Sequence, residues 1–287
     1  METGSEASDK PLSHEAEQDA CILLRGLTRR FGDLVAVDSL DLAVPYGSFF
    51  GFLGPNGAGK STTISMLTGL LAPHAGEGKI LGLDLKQETL EIKKQIGVVP
   101  EQLALFERLS GREYLELVGR LYGLGRREVA RRAGDLLEFM QLRPAAEQLI
   151  LEYSQGMKKK LALSAALIHR PRILFLDEPF EGIDAIASRA IRDVLKKLVQ
   201  GGMTIFLTSH VLEIVERLCD RVAIIHQGRL LASGTLEQLH AGVQLPATRT
   251  EGQKQTLEEL FLHLLGRSEP PGPSLPWLLE GESEQGK

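Results

Sequence analysis

The nine residues GPNGAGKST (54–62) constrain this chain more than any other stretch. They follow an apolar run, SFFGFLG (48–54), and open a segment with apolar residues at Ile64, Leu67, Leu70 and Leu71, a helical spacing closed by Pro73. The pattern G-x-x-x-x-G-K-[ST] between a strand and a helix is the P-loop, a phosphate cradle. Its spacing follows from chemistry. Gly57 and Gly59 let the backbone turn tightly enough for successive N–H groups to converge on an anion, and the helix N-terminus adds partial positive charge. Gly54, Pro55, Asn56 and Ala58 complete the loop. Lys60 reaches the β- and γ-phosphates of a nucleoside triphosphate, and Ser61, followed by Thr62, offers a hydroxyl to magnesium.

RILFLDEP (172–179) supplies the second half of such a site. A short, wholly apolar strand delivers Asp177 and Glu178 at its carboxyl end, where open α/β sheets bind ligands. Asp177 would hold magnesium, directly or through water, and Glu178 would be the general base on the attacking water. Acids before a proline also terminate strands in the ordinary way; the phosphate loop elsewhere in the chain favours the magnesium reading. His210 ends another apolar strand in MTIFLTSH (203–210), beside the expected γ-phosphate, whereas the other six histidines have no assigned role.

The rest of the chain agrees with an α/β fold. CILLRGL (21–27), VAVDSLDLAV (35–44), GKILGLDL (78–85) and KKQIGVVP (93–100) read as strands. Residues 107–149 turn helical, a helix runs from Met157 to His169, and Asp184 caps another that closes at Gly201 and Gly202. RVAIIHQGRLLASG (221–234) is a hairpin pattern around Gln227 and Gly228, and TLEELFLHLLG (256–266) is a short amphipathic helix. Alternating helices and short apolar strands imply a mostly parallel sheet covered on both faces.

The net charge of −5 is unevenly placed, because residues 1–20 and 266–287 carry 10 of the 38 acids and 3 of the 33 basic residues. The remainder is close to neutral, which argues against a polyanion-binding surface spread over the protein. Two cysteines, Cys21 and Cys219, make no disulfide framework, so a reducing compartment is expected. No apolar run approaches bilayer length, and no signal pattern opens the chain.

One stretch remains, YSQGMKKKL (153–161), a helix opening with a serine, a glycine and three lysines. Such an opening suits an anion, or it is simply a basic helix start with Lys158–Lys160 in water.

With these pieces in order, the sequence resembles the ATP-binding cassette ATPases of ABC transporters across residues 21–240. The P-loop lies at 54–62 and the Walker B strand at 173–178; YSQGM (153–157) stands where the family has LSGGQ, EGID (181–184) matches the D-loop, and His210 matches the switch histidine. The resemblance implies a P-loop NTPase with a RecA-like, mostly parallel sheet, an antiparallel β subdomain and a helical insert at about 104–165. It implies ATP and Mg2+ as cofactors, with Ser61, Asp177 and the Q-loop residue Glu101 toward the metal. It also implies that Ser154, Gln155 and Gly156 cap a nucleotide held by a second subunit, with Asp184 in the D-loop. Tyr153, Gln155 and Met157 depart from LSGGQ, and Glu101 stands where the family has glutamine. Phe31, before a glycine in the first hairpin, fits the family's adenine-stacking aromatic or a core residue.

The implied partners are a second ATPase subunit, most simply a homodimer, and a separate integral membrane permease, with no nucleic acid. The implied place is the cytoplasmic face of the membrane, and the helix at 256–266 is similar to the ends of exporter-type ATPases. The alternatives are an ABC ATPase acting on nucleic acid or ribosomes and a non-hydrolysing regulatory module. No long coiled coil separates Lys60 from Ser154, one cassette is present, and Lys60, Asp177, Glu178 and His210 are all in place, which disfavours both. Residues 1–20 are expected to be a disordered acidic tail, 241–266 an extension with one helix, and 267–287 a flexible tail.

Overall fold

The computed structural model describes residues 17–242 and 256–266. The expected tail at 267–287 and most of the one at 1–20 lie outside these residues, as does part of the 241–266 extension. Ala20 already begins the first strand.

Two sheets organise the chain. Strands β1 (Ala20–Phe31), β2 (Leu34–Pro45), β4 (Ala75–Ile80) and β5 (Leu83–Asp84) form an antiparallel sheet in the order β2-β1-β4-β5. Strands β3 (Phe49–Leu53), β6 (Ile96–Val99), β7 (Ile173–Asp177), β8 (Thr204–Ser209), β9 (Arg221–His226) and β10 (Arg229–Thr235) form the second sheet, in the order β10-β9-β3-β8-β7-β6. All its pairings are parallel except the β9–β10 hairpin. The nine described helices are α1 (Lys60–Leu67), α2 (Thr89–Gln95), α3 (Gly111–Leu121), α4 (Arg126–Phe139), α5 (Gln155–Leu167), α6 (Ala185–Gln200), α7 (Leu212–Leu218), α8 (Leu236–Gly242) and α9 (Leu257–Leu264).

Strands β3 and β6–β9 of the six-stranded sheet are buried on both faces, and the strand period of two divides their residues between two cores. Phe49, Leu53, Leu174, Leu176, Ile205 and Leu207 join the core that includes the helical insert, α5 and α6. Phe50, Phe52, Ile173, Phe175 and Phe206 join the core shared with α1 and the antiparallel sheet. On this second side Phe206 sits amid Phe50, Phe52 and Phe175, with ring centroids 5.4–5.6 Å away. That spacing suits offset and tilted aromatic pairs.

The helical insert is α3 and α4 with two short 3-10 turns. Ser110 and Glu113 close a reciprocal capping box at the start of α3, at 3.2 and 2.8 Å. Val129, Ala133 and Leu137 recur every four residues along the buried stripe of α4. A second capping box, between Thr256 and Glu259, opens α9, whose Leu257 and Leu260 are buried in the insert-side core.

Three segments differ from the sequence reading. Lys93, Lys94 and Gln95, expected in a strand, finish α2, where Ile92 is buried and Lys94 pairs with Glu91 at 2.6 Å across a helical spacing. The strand begins only at Ile96. GKILGLDL is split by a tight turn at Leu81 and Gly82, both at positive φ, which pairs Ile80 with Leu83. Helix α1 ends at Leu67, before Pro73, because Gly69 takes a left-handed φ of 67° and the amides of Leu70 and Leu71 turn back to the Ser65 carbonyl. Cys21 and Cys219 are free and buried, and no described helix is long and apolar enough to cross a membrane.

Because Phe206 is fully buried on the central strand, Phe206→Ala should cost about 3–5 kcal/mol of stability. Urea denaturation of the two proteins would show this as a lower midpoint at an unchanged slope.

Candidate functional site

Parallel strands place their carboxyl ends along one edge. Leu53 of β3 pairs with Ser209 of β8, and Thr208 pairs with Asp177 of β7, so the residues that follow all three strands emerge together. There an open cavity of about 830 Å³ is lined by Phe31, Asn56–Thr62, Glu101, Glu178, Glu181 and His210, with Leu34–Ala36 and Gln227 on its rim. Residues separated by up to 196 positions in the chain thus share one cavity.

The loop after β3 has the conformation its glycines anticipate. Gly57 and Gly59 have φ of 77° and 107°, and a Cβ on Gly59 would run into the Ala36 carbonyl. Gly54 and Pro55 lie behind the cavity and turn their carbonyls toward Lys60 Nζ, at 2.8 and 3.3 Å. The same ammonium, buried, stands 3.5 Å from Glu178 Oε1. Ser61 is exposed at the start of α1.

Glu178 is held from several sides. It adopts a left-handed φ of 45° just after β7. Its N–H donates to Thr208, to the hydroxyl at 3.2 Å and the carbonyl at 3.3 Å. Its Oε2 accepts from the His210 backbone at 3.3 Å and lies 3.0 Å from His210 Nδ1. Its Oε1 is buried and accepts no hydrogen bond. Asp177 is buried behind the cavity wall, where it accepts a 2.5 Å hydrogen bond from the Thr208 hydroxyl.

Phe31 is 45% exposed, with the Arg29 guanidinium 4.8 Å over its ring, so of the two readings offered for it the core one is excluded. Glu101 is exposed and lines the cavity from the loop after β6. Ser154, Gln155 and Gly156 do not line it. Ser154 caps α5, its oxygen accepting from the Met157 N–H at 3.3 Å, which leaves the hydroxyl proton free to donate. Gly156 is buried, and a Cβ there would approach the Ala187 methyl to 2.8 Å, so α5 meets α6 too closely for a side chain. Asp184 caps α6 through its Oδ1 and the Ala187 N–H at 2.8 Å.

The reading of Lys158–Lys160 as solvated is corrected for Lys158 and Lys159. Lys158 pairs with Glu107 at 2.6 Å, and Lys159 is only 6% exposed. Lys159 Nζ donates to the Glu178 carbonyl at 3.2 Å and to the Glu101 carbonyl at 3.5 Å. Burial lowers its pKa from the ordinary lysine value, while Glu181, Glu101, Glu178 and Asp177 act to raise it. Thr208 and Lys159 escaped the sequence reading because they carry no motif. Only the strand register and the helix packing bring them to Glu178.

The described geometry is that of a nucleotide-hydrolysing cassette, and the comparisons agree. The family described as ABC transporter matches residues 37–181. The daunorubicin resistance ATP-binding protein DrrA3 of Streptomyces coeruleorubidus is 42% identical over 223 residues, 78% of this chain and 71% of that protein. The Nod factor export ATP-binding protein I of Rhizobium sp. strain N33 is 39% identical over 88% of this chain and 84% of its own. A solved ATP-binding subunit of an ABC transporter superposes with a TM-score of 0.76 at 31% identity, over 85% of this chain and 99% of that one. A cassette in a dimeric post-hydrolysis state bound to ADP and Pi gives a TM-score of 0.69 at 25% identity, over 75% and 98%. The chain belongs to the ABC transporter family, as its ordered motifs implied, and is an ATP-binding, ATP-hydrolysing cassette.

Thr208→Val keeps the shape of the side chain but removes its hydroxyl from Asp177 and Glu178. It should cost about 1–3 kcal/mol, the penalty for stranding buried polar groups, and should lower kcat; denaturation and steady-state ATPase assays would check both.

Proposed function

We propose that this chain is the energy-supplying subunit of an exporter-type ABC transporter, hydrolysing MgATP between two cassettes to drive a separate membrane permease. One observation carries the two-cassette arrangement: the P-loop, Glu178 and His210 share a cavity that Ser154 and Gly156 do not reach. A second copy of the chain is the natural source of a serine-capped helix start for that cavity, and the helix dipole and hydroxyl there suit a γ-phosphate. Export is supported by the names of the relatives, which concern drug resistance and Nod factor export.

In this reading residues 21–240 are the ATPase domain, with the helical subdomain at about 104–165. The P-loop amides of Asn56–Thr62 cradle the phosphates and Phe31 stacks on adenine. Lys60, held back by the carbonyls of Gly54 and Pro55, exchanges them for phosphate oxygens. The hydroxyl of Ser61 and the carboxylate of Asp177, with Glu101 nearby, are hard oxygen donors of the kind magnesium takes. Bound magnesium would neutralise charge on the phosphates. Glu178 Oε1, buried and without a donor, is the atom that takes the proton of the attacking water, while His210 holds Oε2 and reaches toward the γ-phosphate. The placement follows: the subunit sits on the cytoplasmic face of the membrane against its permease.

Glu178→Gln should preserve ATP binding, slow hydrolysis by about a hundredfold or more, and trap an ATP-bound dimer on size exclusion. Wild-type turnover would remove Glu178 from the mechanism. Ser154→Arg should leave ATP binding by single subunits intact and block that dimer. Loss of nucleotide from the single subunit would instead place Ser154 in its own chain's pocket.

A further inference from the structure

Glu178 has a backbone conformation that an L side chain rarely takes, and its carbonyl lies just past Asp177, the last residue of β7. Something must hold that carbonyl, since it lies in the buried layer between β7 and α5. Two donors reach it, the Glu181 N–H and the ammonium of Lys159, each at 3.2 Å, and of the two only Lys159 comes from another element; the second group on Lys159 is the Glu101 carbonyl. One buried charge therefore ties together the loop after β6, the residue after β7 and the first turns of α5. Lys159 borders a small apolar cavity with Val99, Leu163, Leu176 and Ile191, surroundings that suit its aliphatic stem. A lysine only 6% exposed, with no ion-pair partner among the described residues, is costly unless its hydrogen bonds matter to the arrangement.

We infer that Lys159 is a positioning residue for hydrolysis: by holding the Glu178 and Glu101 carbonyls it fixes where the Glu178 carboxylate points. The inference rests on the reading of Glu178 as general base. Lys159 is not among the residues that line the P-loop cavity, so it acts on turnover rather than on nucleotide affinity. It also lies five residues after Ser154 on one rigid helix. A pull on the helix start, where the second subunit's nucleotide would sit, is thus delivered to this chain's own base.

The test uses the full chain and MgATP. Lys159→Met, which keeps the stem and loses the donor, should lower kcat by about ten- to a hundredfold with KM changed less than about threefold, the cost of a slightly misplaced catalytic group. Lys159→Arg, which keeps charge and donor, should recover kcat to within about threefold of wild type. Lys159→Gln, one bond short of both carbonyls, is the second loss variant should the methionine protein fail to fold. The double variant Glu178→Gln/Lys159→Met decides between positioning and mere structure. If Lys159 acts through Glu178, the double variant is no slower than Glu178→Gln alone; if it acts independently, the two losses multiply and the proposal falls. Wild-type kcat in Lys159→Met beside a crippled Glu178→Gln overturns this inference alone. Wild-type kcat in Glu178→Gln overturns the general-base reading and the inference with it.

Discussion

The in-register parallel pairing of β3, β8 and β7 is the constraint on which the rest of the site depends. Each of these strands is only five or six residues long and wholly buried, so a shift of one residue would turn every side chain to the opposite core. The phenylalanine cluster around Phe206 on one side and the mainly aliphatic packing on the other leave no tolerance for such a slip. With the register fixed, the carboxyl ends coincide, and three turns that are remote in sequence are obliged to meet. Lys60, Glu178 and His210 arrive at one cavity because hydrophobic packing aligned the strands behind them.

Around that edge, charge is confined rather than screened. Glu178 is framed by two buried lysines that do different things: Lys60 stands beside its carboxylate, and Lys159 holds its carbonyl. Low-dielectric surroundings strengthen both contacts and make an unpaired member expensive. The left-handed backbone at Glu178 persists under these contacts, with Thr208 on the amide, Lys159 on the carbonyl and His210 on the carboxylate. A strained residue held at its amide, its carbonyl and one carboxylate oxygen fits a group whose direction must be reproducible. The signature helix shows the complementary arrangement. Its first turn offers Ser154 to the outside while its second turn, through Lys159, faces inward.

Much of this was legible from local pattern. The glycine spacing of 54–62 demanded the positive-φ turns that Gly57 and Gly59 adopt, Asp184 capped its helix as its side chain required, and the apolar run of 173–176 became a fully buried strand. What went astray did so for reasons of context. Lys93–Gln95 adjoin an apolar strand and carry no period of their own, so only the burial of Ile92 beneath them settles the helix. Three successive lysines read as a solvated face, yet a helix rotates by 100° per residue. One of the three must then point differently from its neighbours, and in this packing Lys159 points inward.

The sequence alone therefore determined the chemistry: a phosphate loop, a carboxylate pair after an apolar strand, a histidine after another and a serine-capped helix start. Those signals are local, because backbone turns and caps depend on residues a few positions apart. Only the tertiary structure decided which of these groups meet, that Ser154 stays outside the cavity, and that Thr208 and Lys159 serve Glu178. Such contacts join residues 19 to 118 positions apart through strand register and helix packing, and no short-range pattern encodes them.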